Sequence, residues 1–445
     1  MTAGPSLTAR SRSTAYWTVF QIGASSAMRL GSNLLLTRLL APEAFGLIGL
    51  AMTVVVALSL LSDIGINRSI IREPDGDTPA FLQAAWRVKV LRGLIIAMGV
   101  CVAAILLWLL GPHFAAPESV YADPLLPGLI ATTAFVALSS GLLSCNSDLA
   151  NRRMDYRRIV TVKLSGQLIS ILATLGAAYL NGSVWAIAIG IIIGAIADVL
   201  LSFLCYPGPP MRWNADPQIA ARLWKFGRWI MLSSALSIFH TNAEKFILAA
   251  LLTPTEFGLY IIAVTWLGFG MMLFSTLQGR IGYNAFSEIS LSRRHDLPRV
   301  YRKLQWLADL YLISVFATLH FGASPLIDLL YTDTYSEAAS FLSLTAFGVL
   351  SARYNLATEL LMSLGDSRAL GIASSIRSVA LVIALPLGYW TGGVVGLILA
   401  YALYPLVQAP FLLFRLHGHL PRSVNLMDLA WPGLVLVLAV ELVGF

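Results

Sequence analysis

Six ionisable side chains lie inside long apolar runs of this 445-residue chain: Arg29, Arg38, Lys245, Arg353, Asp198 and Glu359. A charge surrounded by hydrocarbon is costly, so such a residue faces a bundle interior or water and marks a substrate or ion pathway. Arg29 lies near the middle of the first run and Arg38 near its outer end. Nine residues are about 900° of helix, so these two point to opposite faces. Lys245 is in the outer part of the seventh run and Arg353 midway along the tenth. Asp198, in the sixth, and Glu359, in the tenth, are the candidates for a proton or sodium. Glu359 stands six residues from Arg353, not the three or four of a helical salt bridge. Asp63 and Asp309 sit near the inner ends of the second and ninth runs, where capping explains them. Each cation also has a plainer explanation as a structural ion pair or a snorkelling side chain. That reading is strongest for Arg38 near an interface and for Lys245 beside Glu244. It is weakest for Arg29, which has no acid nearby in sequence.

The runs that hold these residues define the fold class. The chain is 57% hydrophobic and 12% charged, with a mean hydropathy of +0.76, whereas a soluble chain carries about 25% charged residues. Spans of the roughly 20 residues that cross hydrocarbon fall at 15–39, 43–65, 86–110, 125–147, 159–180, 183–206, 224–251, 256–278, 304–322, 339–363, 371–390 and 393–416, with a further run at 427–445. The expected fold is an all-α polytopic membrane protein. It has a tail at 1–14, an N-lobe of six spans at 15–206, a linker at 207–223, a C-lobe of six spans at 224–416 and a thirteenth segment.

Charge orients it. Lys and Arg crowd alternate loops, as in Arg152, Arg153, Arg157 and Arg158, while segments 111–123, 181–183, 252–255, 322–338 and 391–392 have none. The positive-inside rule then makes the N-terminus cytoplasmic. The net charge of +7 is accounted for by topology and anionic lipid, not by nucleic acid. The arginine loop at 152–158 reads first as this topology signal and second as a recruiter of anionic lipid-linked molecules. Cys101, Cys145 and Cys205 form no metal-ligand or disulfide pattern, and there is no GxxxxGK[ST]. No cofactor and no metal is expected. The short outer loops leave no room for an enzymatic domain. Trp266 and Tyr354 could stack on sugar rings, with core packing the plainer role, and Pro386, Pro405 and Pro410 mark bends in late spans.

A repeat organises the runs. SNLLLTRLLAPEAFGLIGLAMTVV from Ser32 and EKFILAALLTPTEFGLYIIAVTW from Glu244 align at an offset of 212 residues, placing Pro42 on Pro254, Phe45 on Phe257, Gly46 on Gly258 and Leu47 on Leu259. Both copies sit at an outer turn. An even number of spans per half makes this a parallel repeat with its axis along the membrane normal. A convenient turn, Pro to open a helix and Gly for close packing, would also produce the match, but its coincidence with the topological repeat favours a true repeat.

These strings, with LSDIGINRSII (Leu61–Ile71) and the basic loop NRRMDYRRI (Asn151–Ile159), resemble the bacterial polysaccharide and oligosaccharide flippases. These are the O-antigen, exopolysaccharide and colanic-acid-type exporters of the multidrug/oligosaccharidyl-lipid/polysaccharide superfamily. The resemblance covers about residues 14–420. It implies a substrate of an oligosaccharide or polysaccharide repeat unit on undecaprenyl pyrophosphate, moved to the outer leaflet of the bacterial inner membrane by alternating access without ATP. It also implies membrane lipids, a polysaccharide polymerase and other assembly proteins as partners. A cationic cavity would offset desolvation of the pyrophosphate, which gives Arg29 and Arg353, then Lys245, then Arg38 as substrate-binding residues. The rival readings are a multidrug or cation antiporter, which would favour carboxylates in its cavity, a lipid II flippase, and a membrane-embedded polymerase, ligase or glycosyltransferase, which needs a large outer loop.

Overall fold

A computed structural model describes residues 7–213, 216–278, 286–287, 289, 294–419 and 426–443. Every regular element among them is helical. The chain packs into two units, Met1–Gly258 and Leu259–Phe445.

The first unit opens with α1 (Leu7–Leu36), α2 (Pro42–Leu61) and the short α3 (Ile66–Arg72). Pro42 starts α2 in a position where its missing N–H costs nothing. Gly65 reverses the chain before α3 with a φ of 64°, which only glycine adopts freely. Next come α4 (Pro79–Phe114), α5 (Leu126–Leu142) and α6 (Asn146–Arg152). The last two are bent by 57° at a short break, so the expected fourth span is a bent pair. The unit continues with α7 (Tyr156–Asn181), α8 (Trp185–Leu204), α9 (Pro217–Leu251) and the start of α10 (Pro254–Leu277). Asp155 and Asp216 cap α7 and α9 by accepting from the N–H groups of Arg158 and Gln218.

Small residues set the helix contacts, as they do where lipid removes the hydrophobic drive between helices. α4 meets α5 at Gly93 and Gly141, where a Cβ on either would stand 2.8–2.9 Å from the Cα of the other. Gly190 and Gly194 press against Thr174 and Ser170 between α8 and α7. Outward faces carry large apolar side chains: Trp108 is 67% exposed, Leu204 79% and Trp390 82%. Water does not tolerate such a surface, and lipid does. α9, assigned from sequence to the second lobe, packs on α2 and α4 in the first unit.

The second unit holds α11 (Leu297–Phe321), α12 (Ala323–Leu330), α13 (Ala338–Thr345), α14 (Phe347–Ser351), α15 (Asn355–Ser363), α16 (Ser367–Leu403), α17 (Ala409–His419) and α18 (Leu426–Val443). The expected tenth span, 339–363, is therefore not one helix. It is α13, α14 and α15 joined in part by a 3₁₀ turn at Ala352–Tyr354, and Arg353 lies in that turn. α16 is broken at Gly392 and Gly393, the latter with a φ of 58°, where the sequence placed the turn between spans eleven and twelve. Pro405 falls in a 3₁₀ turn, Tyr404–Gln408, that separates α16 from α17. Pro386 stays inside α16.

Among the described residues, seven helices are long and apolar enough to cross a membrane, or eight with the bent pair counted as one span; one of the seven stretches, Arg368–Gly418, contains the break at Gly392 and Gly393.

Candidate functional site

The cations singled out from sequence separate into two environments. Arg29 is exposed on α1, a helix whose main packing partner in its unit is α7. A reciprocal pair of hydrogen bonds locks the two: Ser25 Oγ donates to Gln167 Oε1 at 2.6 Å, and Gln167 Nε2 donates to the Ser25 carbonyl at 3.0 Å. Arg29 is one turn beyond Ser25, and no carboxylate among the described residues pairs with it. Arg38 is placed differently from expectation. α1 ends at Leu36, so Arg38 lies exposed in the turn to α2 and not within a span. The turn then leads into Ala41, which is extended, as the residue before a proline prefers. Lys245 is half-buried on α9, beside the buried Glu244.

Arg353 is the opposite case and requires a correction. Its guanidinium is 3% exposed and donates from Nε to Asp309 Oδ1 at 2.7 Å and from Nη2 to Asp309 Oδ2 at 2.9 Å. The same Nη2 lies 2.7 Å from Asp428 Oδ1, on α18. Trp431 covers it at 4.9 Å from its ring centroid, in cation–π range. A guanidinium with two carboxylates and a ring face around it is committed within the protein and is not offered to a pyrophosphate. Asp309 is likewise no interfacial cap: it is a buried partner. Nothing along the chain marks Asp428 as a third member, because it lies 75 residues from Arg353 in a run read only as an extra segment. Tyr354 is core, 2% exposed, its hydroxyl donating to the Asp428 carbonyl at 2.8 Å. Trp266 donates to the Tyr331 hydroxyl at 2.9 Å.

The two acids proposed for ion coupling lie in different units. Asp198 is exposed on α8 and abuts Gly166 of α7, where any Cβ would collide with its Oδ1. Glu359, half-buried on α15, accepts from Gln278 Nε2 at 3.4 Å.

The repeat has a direct structural counterpart. Its two copies pack on each other at the starts of α2 and α10. A Cβ at Gly46 would stand 2.6 Å from the Pro254 carbonyl oxygen and 2.9 Å from the Gly258 nitrogen, and a Cβ at Gly258 would collide with the Pro42 carbonyl. Thr255 Oγ1 donates to Glu43 Oε1 at 2.7 Å across the contact. Glu43 and Thr255 are equivalent positions of the repeat, 212 residues apart, so a local two-fold passes between them. Nearby, Val120 N–H donates to the Leu252 carbonyl at 3.2 Å and Tyr121 Oη to the Phe246 carbonyl at 3.0 Å. Glycine at both repeat positions is thus a requirement of backbone-to-backbone approach.

The basic loop also has a structural task. Arg152 Nη1 donates to the carbonyls of Ile70 at 2.6 Å and Glu73 at 2.5 Å, completing the C-terminus of α3. Lys89 and Asn67 both reach Asp148, at 3.3 and 2.7 Å. Arg222 reaches Asp75 at 2.7 Å, and that hydrogen bond holds the Asp75 carboxyl below the usual carboxylate range. Arg153 and Arg157 are exposed at the same surface.

Comparison with known proteins fits this architecture. A family model described as polysaccharide biosynthesis protein matches residues 35–340. The lipopolysaccharide biosynthesis protein WzxC of Escherichia coli (strain K12) is 23% identical over 292 residues, 64% of this chain and 56% of that protein. The chain thus spans about half the length of that curated relative. Among solved structures, an inward-facing multidrug resistance MATE family transporter of the MOP superfamily aligns with a TM-score of 0.65 at 13% identity, covering 90% of this chain and 96% of that one. The lipid II flippase MurJ in an inward closed conformation aligns with a TM-score of 0.65 at 15% identity, covering 97% and 93%. At these identities the two structures establish a shared multi-span transporter fold.

Proposed function

This chain belongs to the polysaccharide biosynthesis protein family, and from that premise we propose that it is a flippase moving a glycan repeat unit, linked to undecaprenyl pyrophosphate, across the bacterial inner membrane. The observation that carries the reading furthest is Arg29: an exposed guanidinium with no carboxylate partner among the described residues, on the 30-residue α1, which this reading takes as the first span although it is not one of the seven helices apolar enough to cross a membrane by composition alone. Lipid is a poor environment for such a group, so it faces an aqueous path. There a permanent cation with a planar donor fork suits a phosphate. Lys245 and Arg38 supply further positive charge in the same unit, and Arg153 and Arg157 attract anionic lipid at the cytoplasmic surface. The family description and the name of the WzxC relative support a glycan as the cargo, and the pyrophosphate carrier is the part of it that Arg29 suits. A drug antiporter would place carboxylates where Arg29 stands.

In this reading the protein performs no covalent chemistry. Alternating access exposes the cationic path to each side in turn, the N-terminus is cytoplasmic, and the two sets of six spans related by the repeat act as lobes. Asp198 and Glu359 are candidates for coupling to an ion gradient. Glycan polymerase and assembly proteins would receive the product.

The test is export in a strain whose surface glycan depends on this protein. Arg29→Gln is expected to lower surface glycan at least tenfold with membrane abundance unchanged, and Arg29→Lys to retain part of it. Wild-type export from Arg29→Gln would refute the assignment.

A further inference from the structure

A groove in the second unit carries a charge at one end and hydrocarbon along the rest. It runs along the first part of α16 and encloses about 640 Å³. Arg368 stands at its head. Ile372, Ile376, Val379 and Ile383 follow on the same helix face, three or four residues apart. Val407, from the turn Tyr404–Gln408, also lines it. Val379 is 60% exposed, Ile383 59% and Val407 55%, so the groove is open, and its walls suit hydrocarbon and not water. The charge at its head is not consumed within the protein. Arg368 is exposed, and no ion pair reaches it among the described residues. The carboxylate nearest to it in sequence, Asp366, is paired with Arg415 at 2.6 Å.

We propose that this groove seats one anionic phospholipid, with its phosphate on the Arg368 guanidinium and one acyl chain along Ile372, Ile376, Val379 and Ile383. Charge chooses the headgroup. A guanidinium fork matches a phosphate, and a zwitterionic lipid brings its own ammonium to that phosphate whereas an anionic one leaves it to Arg368. Length chooses the chain. From Arg368 to Ile383 the helix rises about 22 Å, which is one leaflet of a bilayer roughly 40–45 Å thick with its headgroups. A polyprenyl phosphate carries a similar head, but its chain overruns a groove one leaflet long. Ser375, on the same face, makes no polar demand on an acyl chain, because its Oγ donates to the Gly371 carbonyl at 3.1 Å. A lipid held here touches both α16 and the turn that follows it, and so braces the bend between α16 and α17.

A lipid seat on α16 needs no glycan, so the test uses none, and its failure leaves the transport reading untouched. The purified full chain is titrated in detergent with phosphatidylglycerol, phosphatidylcholine and undecaprenyl phosphate, and bound lipid is counted by native mass spectrometry. One phosphatidylglycerol is expected to stay bound under conditions that strip phosphatidylcholine. Its affinity should fall about tenfold in Arg368→Gln, the weight of one charge-assisted hydrogen bond. Arg299→Gln, at an exposed arginine of α11, should leave it unchanged. Gly371 lines the groove, and a Cβ there would meet nothing within 4 Å. Gly371→Leu therefore fills the groove without displacing protein, and should exclude the lipid while melting no lower than wild type, since leucine suits a helix better than glycine. Equal retention of the two phospholipids, a preference for undecaprenyl phosphate, equal losses in Arg299→Gln and Arg368→Gln, or unchanged binding in either Arg368→Gln or Gly371→Leu would overturn the proposal.

Discussion

Arg29 and Arg353 look alike along the chain, since each is a lone arginine in an apolar run, yet their environments are opposite. Arg353 is neutralised from within, and removal of one partner strands the rest. Breaking a buried ion pair costs about 3–5 kcal/mol because an uncompensated charge remains. Asp309→Ala is therefore expected to unfold well below the wild type in detergent melting curves, and Arg353→Ala to do the same. The double substitution Asp309→Ala/Arg353→Ala should cost less than the sum of the two, which a double-mutant cycle measures. Simple additivity would show that the pair is not coupled. Arg29 has no such bond to lose, so Arg29→Gln should melt within about 0.5 kcal/mol of wild type. A large loss of stability there would argue for a structural partner.

At the scale of elements, helix ends and small residues do the positioning. The starts of α2 and α10 touch through Gly46 and Gly258, with Glu43 and Thr255 joined across the contact. In a chain whose native cysteines are replaced by serine, Glu43→Cys with Thr255→Cys should form a disulfide under mild oxidation. Adding Gly46→Leu should abolish it, because the new side chain meets backbone and not a movable side chain. Persistence of the cross-link in the Gly46→Leu background would mean that the two helix ends are not held by backbone approach. Arg152 works at another helix end, and Arg152→Ala leaves three carbonyls of α3 and its following turn without their donor. The expected loss is about 1–3 kcal/mol, read by the same melting assay. The Asp75–Arg222 pair joins the α3–α4 turn to α9. Since the Asp75 carboxyl is lowered in the folded chain, its contribution is present above the ordinary carboxylate range, near about 3.9. It is lost as pH falls through the lower folded value, so Arg222→Gln should change melting at neutral pH and no longer do so in strong acid.

For the whole molecule, topology is the prediction that sequence makes most directly. Reporter fusions at positions 115, 182 and 330 should report the outer side, and fusions at 154, 210 and 292 the cytoplasm. One fusion on the wrong side would shift the phase of every later span and move Arg29 and the basic loops to the other face.

Membership of the all-α membrane class was legible because a mean hydropathy of +0.76 over hundreds of residues leaves a chain little choice of solvent. The repeat was legible because equivalent helix starts need the same Pro and Gly, and the turn at Gly392–Gly393 because no side chain suits its backbone. The fate of individual charges was not. Hydropathy places a residue along an axis but does not say what arrives beside it from 44 or 75 positions away, which is how Arg353 acquired Asp309 and Asp428. Nor could a periodic pattern reveal that the run at 339–363 is broken at a turn whose Arg353 meets partners on α11 and α18. Sequence alone determined the solvent of this protein and the places where its chain must turn, both of which depend on local composition. Only the tertiary structure decided which charges are consumed and which stay open, because pairing in a membrane protein is a matter of which helices meet.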